Sequence, residues 1–221
     1  MKVMAAEVTH AVFAEKAFER LFPKKNKREF FIGSFFPDIR YLGVIERSAT
    51  HFWNVSLDRV LREESSFLSG IKFHSFVDQF RKNFIFNHPR LKDLGTDLGK
   101  KEYLRLHMAL KLLEDELFYP KMDAWQEKID FLSKILPEEL SFEVSLTAVK
   151  KWHLILQENF SAPPSDRSRR NFFRSLGFKE ERIKEINRLV GCLRQKKELT
   201  RVVKQFYKQF EEFVFRLGAA V

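Results

Sequence analysis

His74 and Asp78 stand four residues apart in the stretch Gly70-Ile71-Lys72-Phe73-His74-Ser75-Phe76-Val77-Asp78-Gln79-Phe80. Phe73, Phe76, Val77 and Phe80 recur at helical spacing, so the stretch reads as a helix. Residues four apart on a helix leave one face, one turn from each other. An imidazole and a carboxylate presented that way suit a single metal ion. A lone His-x-x-x-Asp is more often a hydrogen-bonded pair at a core edge, so the reading depends on company. Three earlier pieces supply it: Thr9-His10, Pro37-Asp38-Ile39 and Thr50-His51-Phe52-Trp53. Asp38 lies amid Phe35, Phe36 and Ile39, and a carboxylate in apolar surroundings needs a partner. Arg40 is the ordinary partner; a metal ion is the chemically active one.

His10, Asp38, His51, His74 and Asp78 together offer nitrogen and carboxylate oxygen without thiolate, a set suited to zinc, iron or manganese. One or two divalent ions are expected. Two ions roughly 3.5–4 Å apart, bridged by a carboxylate, are a standard means of phosphoester hydrolysis. Asp78 is the expected bridge, and Asp38 and Asp78 are the candidate catalytic carboxylates. Arg40 and Arg47 are the candidate phosphate contacts, since a guanidinium matches phosphate oxygens in a fork. The net charge of +10 points the same way. A basic surface steers anionic partners, whether phosphoesters, nucleic acid or anionic lipid headgroups.

The elements that must hold these residues read as helices. With 25 phenylalanines but only 8 glycines and 7 prolines in 221 residues, the chain has a large aromatic core and few breaks, which predicts an all-α multi-helix bundle. Residues 1–21 read as a first helix with Thr9 capping its first turn and His10 just inside. The Gly33–Tyr41 stretch reads as a fixed non-helical turn, with Pro37 pushing Phe36 towards an extended conformation. Residues 54–67 read as a helix, and the helix of His74 ends at His88-Pro89. Residues 91–99 read as a loop. A long helix from about residue 100 carries His107 and stops at Pro120, and shorter ones fall at 129–136 and 143–160. The Ser161-Ala162-Pro163-Pro164-Ser165-Asp166 segment is the clearest linker. It divides a metal-binding helical domain, 1–160, from a C-terminal basic helical segment, 165–221, expected to pack on the first. Arg167, Arg169, Arg170 and Arg174 interleaved with Phe172 and Phe173 read as basic helix ends around buried rings. Cys192, the one cysteine, excludes an internal disulfide and reads as a small buried apolar residue. No signal peptide or transmembrane segment is visible, so a cytoplasmic location is expected.

The order Thr9-His10, Gly33-Ser34-Phe35-Phe36-Pro37-Asp38, Thr50-His51-Phe52-Trp53, His74-Ser75-Phe76-Val77-Asp78 resembles the zinc-dependent phospholipase C family, within the phospholipase C/S1-P1 nuclease superfamily. The resemblance covers about residues 7–120. It implies an all-α fold with metals held between helices. By that likeness His10 and Asp78 would hold one ion, while Asp38, His51, His74 and Asp78 would hold the other. Asp38 would also stand near the attacking water. Secreted members add the mature N-terminal amine as a ligand, which is expected to be absent here. The family's further site uses a histidine and a His-x-x-x-Glu pair. His88 is a candidate for the first, but His107 is followed four on by Lys111 and His153 by Gln157. Glu114 and Asp115 are the remaining candidates for that site.

The expectation is therefore a metal-dependent phosphoesterase-like hydrolase acting on a lipid or nucleotide phosphoester through a metal-activated water. The alternative is a non-catalytic basic helical module that binds nucleic acid or anionic membrane and carries a vestigial metal site.

Overall fold

The computed structural model describes residues 7–92 and 100–218. Residues 1–6 of the expected first helix and 93–99 of the expected loop lie outside it. Thirteen α-helices and two short 3-10 segments make up the described residues, with no strand among them, so the fold is all-α. None of these helices is long and apolar enough to cross a membrane.

The first seven helices, α1 to α7, carry the part of the molecule that matters here. α1 (Glu7–Leu21) is buried along most of its length. α2 (Lys27–Phe35) is started by Asn26, whose side chain accepts from the Glu29 amide. It runs directly into a 3-10 segment, Phe36–Leu42, that Gly43 ends in a left-handed conformation at φ 76°. After α3 (Arg47–Thr50) and α4 (Leu57–Leu61), α5 (Ser66–Asn87) starts at the Ser65 cap. α6 (Pro89–Lys92) follows, and then α7 (Lys100–Phe118).

The remaining chain wraps this frame. A 3-10 turn at Tyr119–Lys121 leads to α8 (Trp125–Phe131), α9 (Pro137–Leu140) and α10 (Leu146–Phe160). α11 (Asp166–Ser175), α12 (Glu180–Arg194) and α13 (Lys197–Gly218) complete it.

α2 and α5 lie almost backbone to backbone. A Cβ placed on Gly33 would stand 2.0 Å from the Phe67 carbonyl oxygen, and one on Gly70 2.1 Å from that of Phe30. Only glycine permits such an approach. The crossing brings the end of α2, and hence Asp38, against the middle of α5, where His74 sits.

The phenylalanines fill the space between the helices. Phe13 of α1 stacks on Phe210 of α13 with ring centroids 4.0 Å apart and also touches Phe118 and Phe206. The C-terminal helices therefore share one aromatic core with α1 and α7. Trp152 of α10 donates its indole N–H to the Phe35 carbonyl at 3.1 Å, so α10 also holds the end of α2.

Several local expectations change. The Gly33–Tyr41 stretch is helical, not extended: Phe36 has φ −62° and ψ −39°. Pro37 occupies the first turn of the 3-10 segment, where its missing N–H costs nothing. Residues 54–67 do not form one helix; Asn54 is left-handed at φ 53°, leaving short α4 and a fresh start at Ser65. The expected 129–136 helix is replaced by α8 and α9 on either side of a turn. Thr9 lies inside α1 and does not cap it. Cys192 is exposed, because the buried face of α12 is set by Ile186, Val190 and Leu193. Arg169 is buried among Glu116, Asp166 and Asn187, and Arg170 and Arg174 pair with Glu180. Three of the four arginines are thus engaged in ion pairs within the chain.

Candidate metal centre

α1, the 3-10 segment after α2, the end of α3 and α5 converge on one place. His10, Asp38, His51 and His74 are all buried there, and Asp78 closes the outer side. The imidazoles of His10 and His74 stack with centroids 3.8 Å apart, and His51 meets His74 edge-on at 5.0 Å.

Hydrogen bonding fixes which ring atoms face inward. The Ser34 carbonyl lies 3.0 Å from His74 Nδ1. A carbonyl only accepts, so Nδ1 carries the proton and Nε2 keeps its lone pair. Thr50 donates its hydroxyl to the Pro37 carbonyl at 3.3 Å. Its oxygen is then the acceptor for His51 Nδ1–H at 3.1 Å, which leaves the His51 Nε2 lone pair free. Burial, and for His51 the neighbouring His74 as well, pushes both imidazoles below their ordinary pKa, so both are neutral. His10 is pushed well below its own by burial and then by His74.

The two lone pairs point at Asp38. His74 Nε2 stands 3.6 Å from Asp38 Oδ2, and His51 Nε2 3.7 Å from Oδ1. His10 Nε2 stands 3.8 Å from Asp78 Oδ1. These gaps are too long for hydrogen bonds. They are close to the ~3.4 Å that separates neighbouring ligands on a tetrahedral ion with bonds of ~2.1 Å. His10 Nδ1, His51 Nε2 and His74 Nε2 are buried without a hydrogen-bond partner. Two overlapping triads, His10–Asp38–His74 and His51–His74–Asp78, have ligand atoms mutually within 4.8 Å. Electron-rich atoms facing one another across a buried gap fit a bound cation, so the donor set suits a divalent metal.

No family model matches the chain, no curated protein is similar to it, and no solved structure is similar to it.

The flanking charges are built in. Arg40 Nη2 lies 3.1 Å from Asp38 Oδ1, and its guanidinium rests on the Tyr41 ring, so Arg40 serves Asp38 and does not line the open cleft. Arg47 reaches Asp78 Oδ2 at 3.5 Å, and Lys111 of α7 donates to Asp78 Oδ1 at 3.0 Å. Burial raises the Asp78 pKa, but the Lys111 ammonium outweighs it and holds the carboxyl well below its usual range. Outside Asp78 opens a cleft of about 210 Å³ lined by Arg47, His51, Trp53, Arg81 and Lys111, among others. Trp53 on its rim is 73% exposed.

The candidates for the family's further site are each engaged elsewhere among the described residues. Glu114 is bonded in a fork to Arg81, at 2.6 and 2.7 Å. His153 is closed off by Glu139 at 2.7 Å and the Leu132 carbonyl at 3.0 Å. His107 packs against the Tyr103 ring with the planes tilted by 52°, and His88 Nδ1 accepts the Arg90 amide.

Two acids stand beside the centre: Glu7 escaped the sequence reading, and Asp115 was named there only as a candidate for the further metal site. Asp115 accepts both the amide and the hydroxyl of Thr9 at 2.8 Å. Glu7 is buried with neither oxygen hydrogen-bonded among the described residues. Burial, then Asp38 and Asp115, pushes its pKa well up. Glu7 and His10 stand three apart on α1, and His107, Lys111 and Glu114 recur at i, i+4 and i+7 on α7. Those spacings were the available signals.

Burial pushes the Asp115 pKa from 3.8 to about 7. The folded state then holds this proton more tightly than the unfolded chain, so stability falls as pH rises from about 4 to 7. Asp115→Asn keeps an acceptor for Thr9 and removes the proton. It should flatten the pH dependence of urea unfolding over that window by about 2–4 kcal/mol relative to wild type. An unchanged slope would show that Asp115 is ionised in the fold.

Proposed function

We propose that the chain is a metal-dependent phosphoesterase-like hydrolase whose metal centre is formed by His10, Asp38, His51 and His74 beside Asp78. The observation that supports this reading is the pair of imidazole lone pairs, tautomers set by Ser34 and Thr50, aimed at the two oxygens of Asp38. The basic cleft beside them favours a phosphorylated substrate over a neutral one.

A divalent ion bound there, zinc being the element the donors suit best, supplies Lewis acidity and brings the pKa of a water towards neutrality. The chain does the rest. The Ser34 and Thr50 contacts keep the His74 and His51 nitrogens deprotonated and aligned. Arg40 holds the Asp38 carboxylate in place. Asp78, kept ionised, fixes Lys111 and Arg47 at the wall of the cleft, where their N–H groups meet phosphate oxygens as charge builds on them. Trp53 and Phe52 offer an apolar shelf for the rest of the substrate.

Tag-free, zinc-loaded protein is expected to hydrolyse bis(4-nitrophenyl) phosphate or 4-nitrophenyl phosphate. Arg47→Ala should raise KM about tenfold, the loss of one charge-assisted contact. Asp38→Asn should lower kcat/KM more than a hundredfold. Absent turnover, together with salt-sensitive binding of nucleic acid or anionic vesicles that survives Asp38→Asn, would return the chain to a basic binding module.

A further inference from the structure

His74 belongs to both triads, yet it has one lone pair to give. Its Nδ1 is committed to the Ser34 carbonyl at 3.0 Å, so Nε2 alone can bind an ion. The His10–Asp38–His74 and His51–His74–Asp78 triads therefore cannot each hold a metal through it at the same time. Within the centre, His10 Nδ1, His51 Nε2 and His74 Nε2 are buried without a hydrogen-bond partner. Asp78 differs from them in that both of its oxygens are already taken. Lys111 Nζ donates to Oδ1 at 3.0 Å, and Arg47 Nη2 reaches Oδ2 at 3.5 Å. The lysine is largely enclosed, with 13% of its side chain exposed. An ion that took Asp78 Oδ1 would share that oxygen with an ammonium, and the repulsion between a dication and a cation so close is strong at any dielectric constant a protein interior offers.

We infer that the centre takes a single divalent ion on its Asp38 side, and that the Lys111 ammonium, seated on Asp78, supplies the positive charge a second metal would bring. This deepens the hydrolase reading and rests on it. In this arrangement Asp78 is an anchor for Lys111, not a bridge between ions. Lys111 also lines the cleft, so the same ammonium that excludes a second ion is placed to meet a phosphate oxygen of the substrate. An ammonium is a compact point charge with three donors, which lets it serve a carboxylate and a phosphate together.

Metal content of tag-free protein decides the matter without reference to activity. Protein loaded with excess zinc, and separately with cobalt, is freed of unbound metal and its metal-to-chain ratio measured by plasma mass spectrometry. One ion per chain is expected. Lys111→Glu puts a carboxylate where the ammonium stood, next to Asp78 and His51, and is expected to raise the ratio to two. Two ions in the unaltered protein would overturn the role given to Lys111 while leaving the metal centre intact. No ion at all would remove both readings. A folded Lys111→Glu protein, verified by its unfolding transition, that still holds one ion would overturn the exclusion by charge.

Discussion

His74→Ala protein is expected to bind zinc more than a hundredfold more weakly than wild type. A structural zinc site is worth roughly 10–16 kcal/mol over four ligands, so each ligand carries about 3 kcal/mol, which is a factor of more than a hundred. His74 is the ligand with most to lose, because its Nε2 faces Asp38 at 3.6 Å and belongs to both possible ligand sets. The substitution also strips the Ser34 carbonyl of its donor, costing about 1–3 kcal/mol of stability. His153→Ala separates the two effects. That histidine is equally buried, but both of its nitrogens are occupied, by Glu139 and Leu132. It should lose stability and keep full zinc affinity in a chelator competition. Equal zinc affinity in wild type and His74→Ala would place any bound ion elsewhere.

Gly70→Ala is the second large effect, and it tests whether the α2–α5 contact positions the centre. The added methyl would meet the Phe30 carbonyl oxygen at 2.1 Å and the Ser34 amide at 2.8 Å, both backbone atoms that cannot swing aside. The helices must separate, at a cost of about 3 kcal/mol or more. For a chain of this size that lowers Tm by roughly 6–12 °C. Ser34 carries the carbonyl that holds His74, so zinc affinity should fall with stability although no ligand has changed. Gly191→Ala is the control, since nothing lies within 4 Å of its added methyl and no residue of the centre is on α12. A Gly70→Ala protein that melts and binds zinc as wild type does would show that the crossing does not control the site.

The helix of His74 and Asp78 was legible because periodicity and a four-residue spacing are local properties. Asp38 was legible because a carboxylate among aromatic residues is costly without a partner. The backbone around it was not. Pro37 reads as a break in a pattern of flanking residues, yet at the first turn of a 3-10 segment it is well placed, and the pull of Trp152 on Phe35 from residues far along the chain is invisible locally. Thr9 reads as a cap because capping is a short-range rule; its partner, Asp115, lies 106 residues away. Lys111 shows the same limit. In the sequence it is only a residue where a glutamate ligand was sought, and its meaning comes from Asp78 on another helix. Cys192 was placed inside from its apolar neighbours, but the register of α12 turns that position outward.

The proposed centre requires buried imidazoles and the Asp38 carboxylate to gather around one cation. Anomalous diffraction collected on either side of the zinc absorption edge, from crystals of tag-free protein grown with zinc, measures that directly. The account predicts one strong peak per chain within bonding distance of Asp38 and His74, next to His10 or His51. A map with no peak there, or with its peak on surface carboxylates while the four side chains rearrange to bond one another, would contradict it.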